Sequence, residues 1–210
     1  MRWVFRLILV LGVLAALVLG VASGAAMLRE TQARSEILPT EGRLVDTADG
    51  AIFVLETGPE DGPPLLFAHG TAAWSGLWQP VLEAAGADGW RAIACDMPPF
   101  GFSDHAADRL YARPRQAERI LALVAAMNIK PIFVAHSVGA GPAVEAVMQD
   151  QGAFAGLIVV DGALALGRHA EAETLPLPLR PEPIRKAATA LTMTNPLLTR
   201  QFLSGFVHKK

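Results

Sequence analysis

Pro131-Ile-Phe-Val-Ala-His-Ser-Val-Gly-Ala-Gly141 reads as a strand that turns into a helix around a single residue. Residues 132–135 are apolar and strand-friendly, Gly139, Ala140 and Gly141 are small, and residues 143–148 have a helical composition. Ser137 therefore stands at a corner where two backbones nearly touch and only small neighbours fit. Such a turn strains its central residue and lifts the side chain above the sheet. The start of the helix also directs free N–H groups at whatever the serine would attack. A serine capping an ordinary helix is the plainer reading of the same residues.

Upstream, Leu65-Leu66-Phe67-Ala68 is a short apolar run, as expected of a strand buried on both faces. It ends in His69-Gly70-Thr71, with Trp74 and Trp78 soon after. A helix is predicted over 77–85 and a second buried strand over 90–95, which runs into Asp96-Met-Pro-Pro-Phe-Gly-Phe-Ser-Asp104. Apolar residues at Ile120, Leu121, Leu123, Val124 and Met127 predict a helix over 114–127, with Arg115, Glu118 and Arg119 as its wet face. Beyond the corner and its helix, residues 156–160 predict another buried strand, ending at Asp161-Gly162. A hairpin of strands 43–47 and 51–56 around Ala48-Asp49-Gly50 precedes all of these. Strands alternating with helices from residue 64 to 161 predict an α/β fold with a doubly wound, mostly parallel sheet.

Ala135-His136-Ser137-Val138-Gly139 resembles the nucleophile elbow of the α/β-hydrolase fold superfamily, G-x-S-x-G, with alanine for the first glycine. His69-Gly70 resembles the H-G pair that opens that family's oxyanion turn. Residues 96–104 resemble its D-x-P-G-x-G-x-S-D loop, with Pro99 where a glycine is usual. The three motifs stand in the family's order, and the resemblance covers roughly residues 40–165. It implies a serine hydrolase in which Ser137 attacks a carbonyl and the N–H groups of Thr71 and Val138 hold the oxyanion. Water then clears the acyl-enzyme. The implied substrate is a small carboxylic ester or related carbonyl compound, with carbon–carbon bond hydrolysis as the main variant. A serine at the elbow, rather than an aspartate, argues against the family's dehalogenases and epoxide hydrolases.

The resemblance also implies a triad in the chain order Ser, Asp or Glu, His. After Ser137 only His169 and His208 remain, neither following a predicted strand, so the base is left unassigned. His136 leaves the corner in a different direction from its neighbour, and His105 has no supporting context. Asp161, at the carboxyl end of the strand after the elbow, is a candidate acid; a turn-capping aspartate is the alternative. Asp96 is read as structural, tying down backbone N–H groups. By the same resemblance the 210 residues are expected to end inside a helical cap, as the N-terminal part of a longer hydrolase. A non-catalytic, membrane-tethered scaffold of the same fold, binding a ligand or partner, is the alternative function.

Net charge is −2 with no Lys/Arg cluster, which argues against a nucleic-acid partner. The single cysteine, Cys95, excludes an internal disulfide framework and sits in an apolar run as a buried small hydrophobe. No metal or cofactor motif is present. Arg2 and Arg6 precede an uncharged apolar run over 7–28, about long enough to cross a bilayer as a helix. A secretory signal cleaved among the small residues 22–26 is the competing reading, and either would export the rest of the chain. The expected organisation is thus a transmembrane anchor or signal at 1–29, a linker at 30–41, an α/β-hydrolase core at 42–163, and a Pro-rich loop with a partial helical cap at 164–210. Within that last part, helices are predicted over 184–193 and 197–207.

Overall fold

A computed structural model of the chain describes residues 2–29, 34–162, 164, 181–192 and 196–204. The chain divides into two units: residues 37–172, and residues 1–36 together with 173–210.

The first unit is a six-stranded sheet in the order β1-β2-β4-β3-β5-β6. β1 (Gly42–Thr47) and β2 (Gly50–Thr57) form the predicted hairpin, and Gly50 takes the positive φ (103°) that closes it. β2 also runs antiparallel to β4 (Arg91–Cys95). β3 (Pro64–Ala68), β4, β5 (Ile132–His136) and β6 (Gly156–Val160) are mutually parallel. Alternate side chains fill two cores, one on each face. Ile52, Val54, Leu66, Ile93, Cys95 and Phe133 belong to the core that also takes in residues of α4 (Arg113–Met127) and α5 (Ala140–Gln149). Phe53, Leu55, Phe67, Ala92 and Ala94 face the opposite way, with Leu82 of α3 (Gln79–Ala87). A period of two, buried on both faces, is what a strand covered by helices on each side requires.

Helix ends follow local chemistry. The helix expected over 77–85 begins instead as a 3₁₀ turn, Ser75–Trp78, and α3 follows with Pro80 in its first turn. α4 likewise has a proline in its first turn, and Asn128 ends it in the left-handed conformation, φ 51°. Pro142 falls within the first turn of α5, where its missing N–H is harmless.

Two expectations are corrected. Arg119 does not belong to the wet face of α4: it is 2% exposed, because its guanidinium is taken up by Asp49, Asp108, Gln116 and the Leu110 carbonyl. β6 is not a buried strand. Among the described residues it is the sheet edge, with Ile158, Val159 and Val160 exposed at 49%, 37% and 39%.

The second unit holds α1 (Arg2–Arg29), all but the last residue of α2 (Arg34–Ile37), α6 (Glu182–Thr192) and α7 (Pro196–Ser204). α1 is long and apolar enough to cross a membrane by length and composition. α6 packs against α1, and Ala26, Ala187 and Ala190 are buried. The helices expected over 184–193 and 197–207 are thus present, less their last residues, which lie outside the described ones. The Pro-rich stretch 175–183 also lies outside them, except for residues 181–183.

Candidate active site

In this sheet β4 lies on one side of β3 and β5 on the other, so the chain reverses its direction of travel at β3. Doubly wound sheets open a crevice at such a point, at the carboxyl ends of the strands. Ala68 and Ala135 are register partners there, so the segments following β3 and β5 emerge side by side. These are His69-Gly70-Thr71 and Ser137-Val138-Gly139.

Ser137 has φ 53°, a left-handed conformation that a non-glycine residue adopts only when its surroundings enforce it. They do so through small neighbours. A Cβ at Gly139 would meet the His69 carbonyl oxygen at 2.6 Å, and one at Gly162 would meet Ala140 Cβ at 2.8 Å. A Cβ at Gly70 would lie 2.9 Å from Ser137 Cβ and 3.4 Å from its Oγ. The expected corner is present, and the turn at His69-Gly70-Thr71 lies directly against it. Ser137 to Gly139 form a 3₁₀ turn that leads into α5, and the first N–H groups of a helical turn have no partner within it. Val138 is half exposed.

His69 is buried and both its ring nitrogens are engaged. Nδ1 donates to the Gly70 carbonyl at 2.7 Å, and Nε2 accepts from Met97 N–H at 3.0 Å. These roles fix a neutral ring, and burial pushes its pKa below the ordinary histidine value. His69 is therefore a brace for the turn and no base. Asp96, wholly buried, accepts from Ser75 N–H at 2.6 Å and from Phe102 N–H at 2.7 Å. That is the structural role read from its loop. Ser103 extends the tie, donating to the Asp96 carbonyl at 2.7 Å and accepting from Phe53 N–H at 2.9 Å.

Asp161 follows β6 with φ 46° and is exposed, and no side-chain partner is found for it among the described residues. It is not joined to any described histidine. His105 is exposed on its loop, while the Nδ1 of His136 is buried. His169 and His208 lie outside the described residues. Cys95 is buried, with its thiol pushed up to about 12 by desolvation first and by Asp96 second, so it is inert as a nucleophile. Among the described residues no group of His, Cys, Asp and Glu is arranged to hold a metal ion.

Fold and corner together define a class, and comparison with known proteins agrees with it. The family model for the alpha/beta hydrolase fold matches residues 63–203, and the chain belongs to that family. Over 71 residues it is 37% identical to a haloalkane dehalogenase of Mycobacterium marinum, covering 32% of this chain and 24% of the relative. Over 149 residues it is 28% identical to the magnesium-chelatase 30 kDa subunit of Rhodobacter capsulatus, covering 70% and 49% respectively. The structure of E-2-(acetamidomethylene)succinate hydrolase superposes with a TM-score of 0.54 at 28% identity, over 57% of this chain and 44% of that one. The chain thus spans less than half the length of these relatives.

What the sequence reading missed is the depth of the support behind the turn. The two-sided engagement of His69 is one such feature, and the packing of the Trp78 and His136 rings, centroids 6.3 Å apart, is another. The pair Trp74 and Trp78, close after the turn, was the available signal.

Proposed function

We propose that the protein is a serine hydrolase of carboxylic esters or related small carbonyl substrates. Ser137 is the nucleophile, and Thr71 and Val138 N–H groups are the oxyanion donors. The observation that carries this reading is Ser137, held at φ 53° against Gly70 at the topological switch point of the sheet. Strain at a residue with this chemistry is the mark of a displayed nucleophile. Donors next to Oγ act on charge that appears only in the tetrahedral intermediate, so they lower the barrier without tightening the ground state. The relatives include a dehalogenase, but the corner residue here is a serine, whose chemistry is acyl transfer.

A serine hydroxyl also needs a base to accept its proton. None of the described histidines is placed for that role, which leaves His169, His208 or a residue of a longer polypeptide. The test uses the protein at its native length, with short p-nitrophenyl esters and a fluorophosphonate probe. Ser137→Ala is expected to lower hydrolysis by at least about 10⁴-fold and to abolish labelling, with folding intact. Retention of most of the activity would sink the assignment. The 210 residues alone are expected to show only residual labelling, and stoichiometric labelling would direct attention to His169→Ala and His208→Ala.

A second reading, a non-catalytic scaffold of the same fold, draws on one observation. A relative that matches 70% of this chain is named as a chelatase subunit rather than a hydrolase. On that reading Ser137→Ala changes nothing measurable.

The apolar α1 is read as a membrane anchor that holds the sheet unit on the exported side. The intact chain is expected to stay with membranes through carbonate extraction, and a chain without residues 1–28 to leave them. A mature N-terminus near Ala26 and a soluble exported product would show a cleaved signal instead.

A further inference from the structure

α1 is not uniform along its length. Every residue from Trp3 to Val18 is exposed, and coverage is confined to Leu19 and to residues 22–26. Leu19, Ala22, Ser23 and Ala26 stand at i, i+3, i+4 and i+7, which is one face of a helix. Val21, Met27 and Leu28, off that face, stay exposed. Ser23 donates its hydroxyl to the Leu19 carbonyl at 2.8 Å, so it brings no unpaired polar group to the contact.

The element packed against α1 is α6. It turns Ala187 and Ala190 to the contact, both buried, with Ala188 and Leu191 half-covered, while Arg185, Lys186 and Thr189 are exposed. Ile184 belongs by its spacing with Ala187, Ala188 and Leu191, yet it is 39% exposed. The apolar face of α6 therefore extends beyond what α1 covers.

These facts conflict with a bilayer that takes in the whole apolar run 7–28. α6 would then lie against residues up to about 13 Å below a surface at residue 28, at 1.5 Å per residue. Exposed cations are costly there, and the ends of an 11-residue helix carry backbone groups that need water or partners. A surface at α6 removes the conflict. Residues 3–21 then span about 28 Å, close to the hydrocarbon thickness of about 30 Å. Trp3 falls at the far interface, where indole rings are favoured, and Arg6 reaches that interface by snorkelling.

We infer that α6 is an interfacial helix. Clamped on residues 19–26 of α1, it lies on the bilayer surface, with Arg185 and Lys186 at the level of the lipid headgroups and Ile184 at the acyl boundary. The membrane boundary falls at Val21, and residues 22–26 are the seat of α6 rather than a cleavage site. Cleavage there would uncover Ala187 and Ala190. This inference rests on reading α1 as an anchor, which the test checks separately.

Nitroxide labels on single cysteines report depth through collisions with oxygen and with an aqueous nickel chelate. Cys95, buried and with its thiol pushed up to about 12, stays unlabelled. The full chain, in vesicles of phosphatidylcholine and phosphatidylglycerol, carries the label through Leu11→Cys, Val21→Cys or Thr189→Cys, all at exposed positions. Val21 and Thr189 are expected at the headgroup level, and Leu11 about 15 Å deeper. A Val21 label about 10 Å inside the hydrocarbon would put the boundary at residue 28 and overturn the inference. A Thr189 label in open water would overturn it too, as would dipolar broadening between Thr189 labels shielded from lipid, which marks a second copy over α6. Ala187→Asp puts a carboxylate into the α1–α6 contact, so the Thr189 label should gain mobility and move toward water while Leu11 stays. An unchanged Thr189 spectrum in that variant would overturn the clamp. A Leu11 label in open water would instead remove the anchor reading itself, so the two failures are distinguishable.

Discussion

Gly101→Ala is expected to destabilise the sheet unit by about 4 kcal/mol, close to the whole stability of a marginal domain. Gly101 has φ 63°, and a Cβ there would lie 1.9 Å from Asp96 Oδ2 and 2.2 Å from Cγ. The left-handed conformation alone costs an alanine about 1–2 kcal/mol. The larger part comes from Asp96, which has nowhere to go. It is wholly buried, and its two oxygens hold Ser75 N–H and Phe102 N–H, so retreat from the new methyl breaks a charge-assisted bond. Each such bond is worth about 1.5–3 kcal/mol. Gly89→Ala separates the two terms, because Gly89 also has a positive φ, 86°, but a Cβ there meets nothing within 4 Å. It should cost only about 1 kcal/mol. Urea unfolding followed by tryptophan fluorescence measures both; equal midpoint shifts for the two variants would contradict the account.

The same pair of residues shows what the sequence made legible. A glycine five residues after an aspartate, inside a loop with a serine and a second aspartate, is a local pattern, and its cause is local too. The corner at Ser137 was legible for the same reason: strand, small residues and helix follow one another without a break between 132 and 148. Strand order was legible only through alternation, which says that strands are parallel but not which neighbours they have. That is why β6 read as buried. Its residues Ile158, Val159 and Val160 are apolar enough for an interior strand, but burial depends on a neighbour, and among the described residues β6 has β5 on one side only. Composition states what a strand tolerates, not what covers it.

The base was illegible for a different reason. A triad is assembled from side chains distant in sequence, and a histidine in a loop carries no local mark of where that loop folds. His69 illustrates the converse. Its neighbour Gly70 marks the turn after β3, yet nothing nearby in sequence announces that Met97 N–H, 28 residues on, occupies its second nitrogen. The candidate acid Asp161 stands where its strand puts it, at the carboxyl edge, and the described residues supply it with no partner there.

Arg119 was the reading most changed by long-range contacts, and its replacement carries the second large expected effect. Helical periodicity places it beside Arg115 and Glu118, which is correct for direction and silent about what lies opposite. Opposite is Asp49, in the β1–β2 hairpin seventy residues earlier, which accepts from Arg119 Nε at 2.7 Å. Nη2 donates to Asp108 at 2.9 Å, Nη1 to the Leu110 carbonyl at 2.6 Å and to Gln116 Oε1 at 3.0 Å, and the guanidinium stands 5.4 Å from the Tyr111 ring centroid. One side chain thus clamps the hairpin and the loop 105–112 onto α4. Removing the cation leaves the Leu110 carbonyl and two carboxylates short of their partner, so Arg119→Leu is expected to cost about 3 kcal/mol, at the low end for a broken buried pair because Arg115 still reaches both aspartates. Arg119→Lys should cost nearly as much, since an ammonium cannot reproduce three nitrogens aimed at four acceptors. Arg115→Leu, at a more exposed position (30% against 2%), should shift the midpoint far less and lose what effect it has in high salt. Urea midpoints at low and high sodium chloride decide the matter: full rescue by lysine, or equal losses at the two arginines, would show that Arg119 acts as a surface charge and not as a buried clamp.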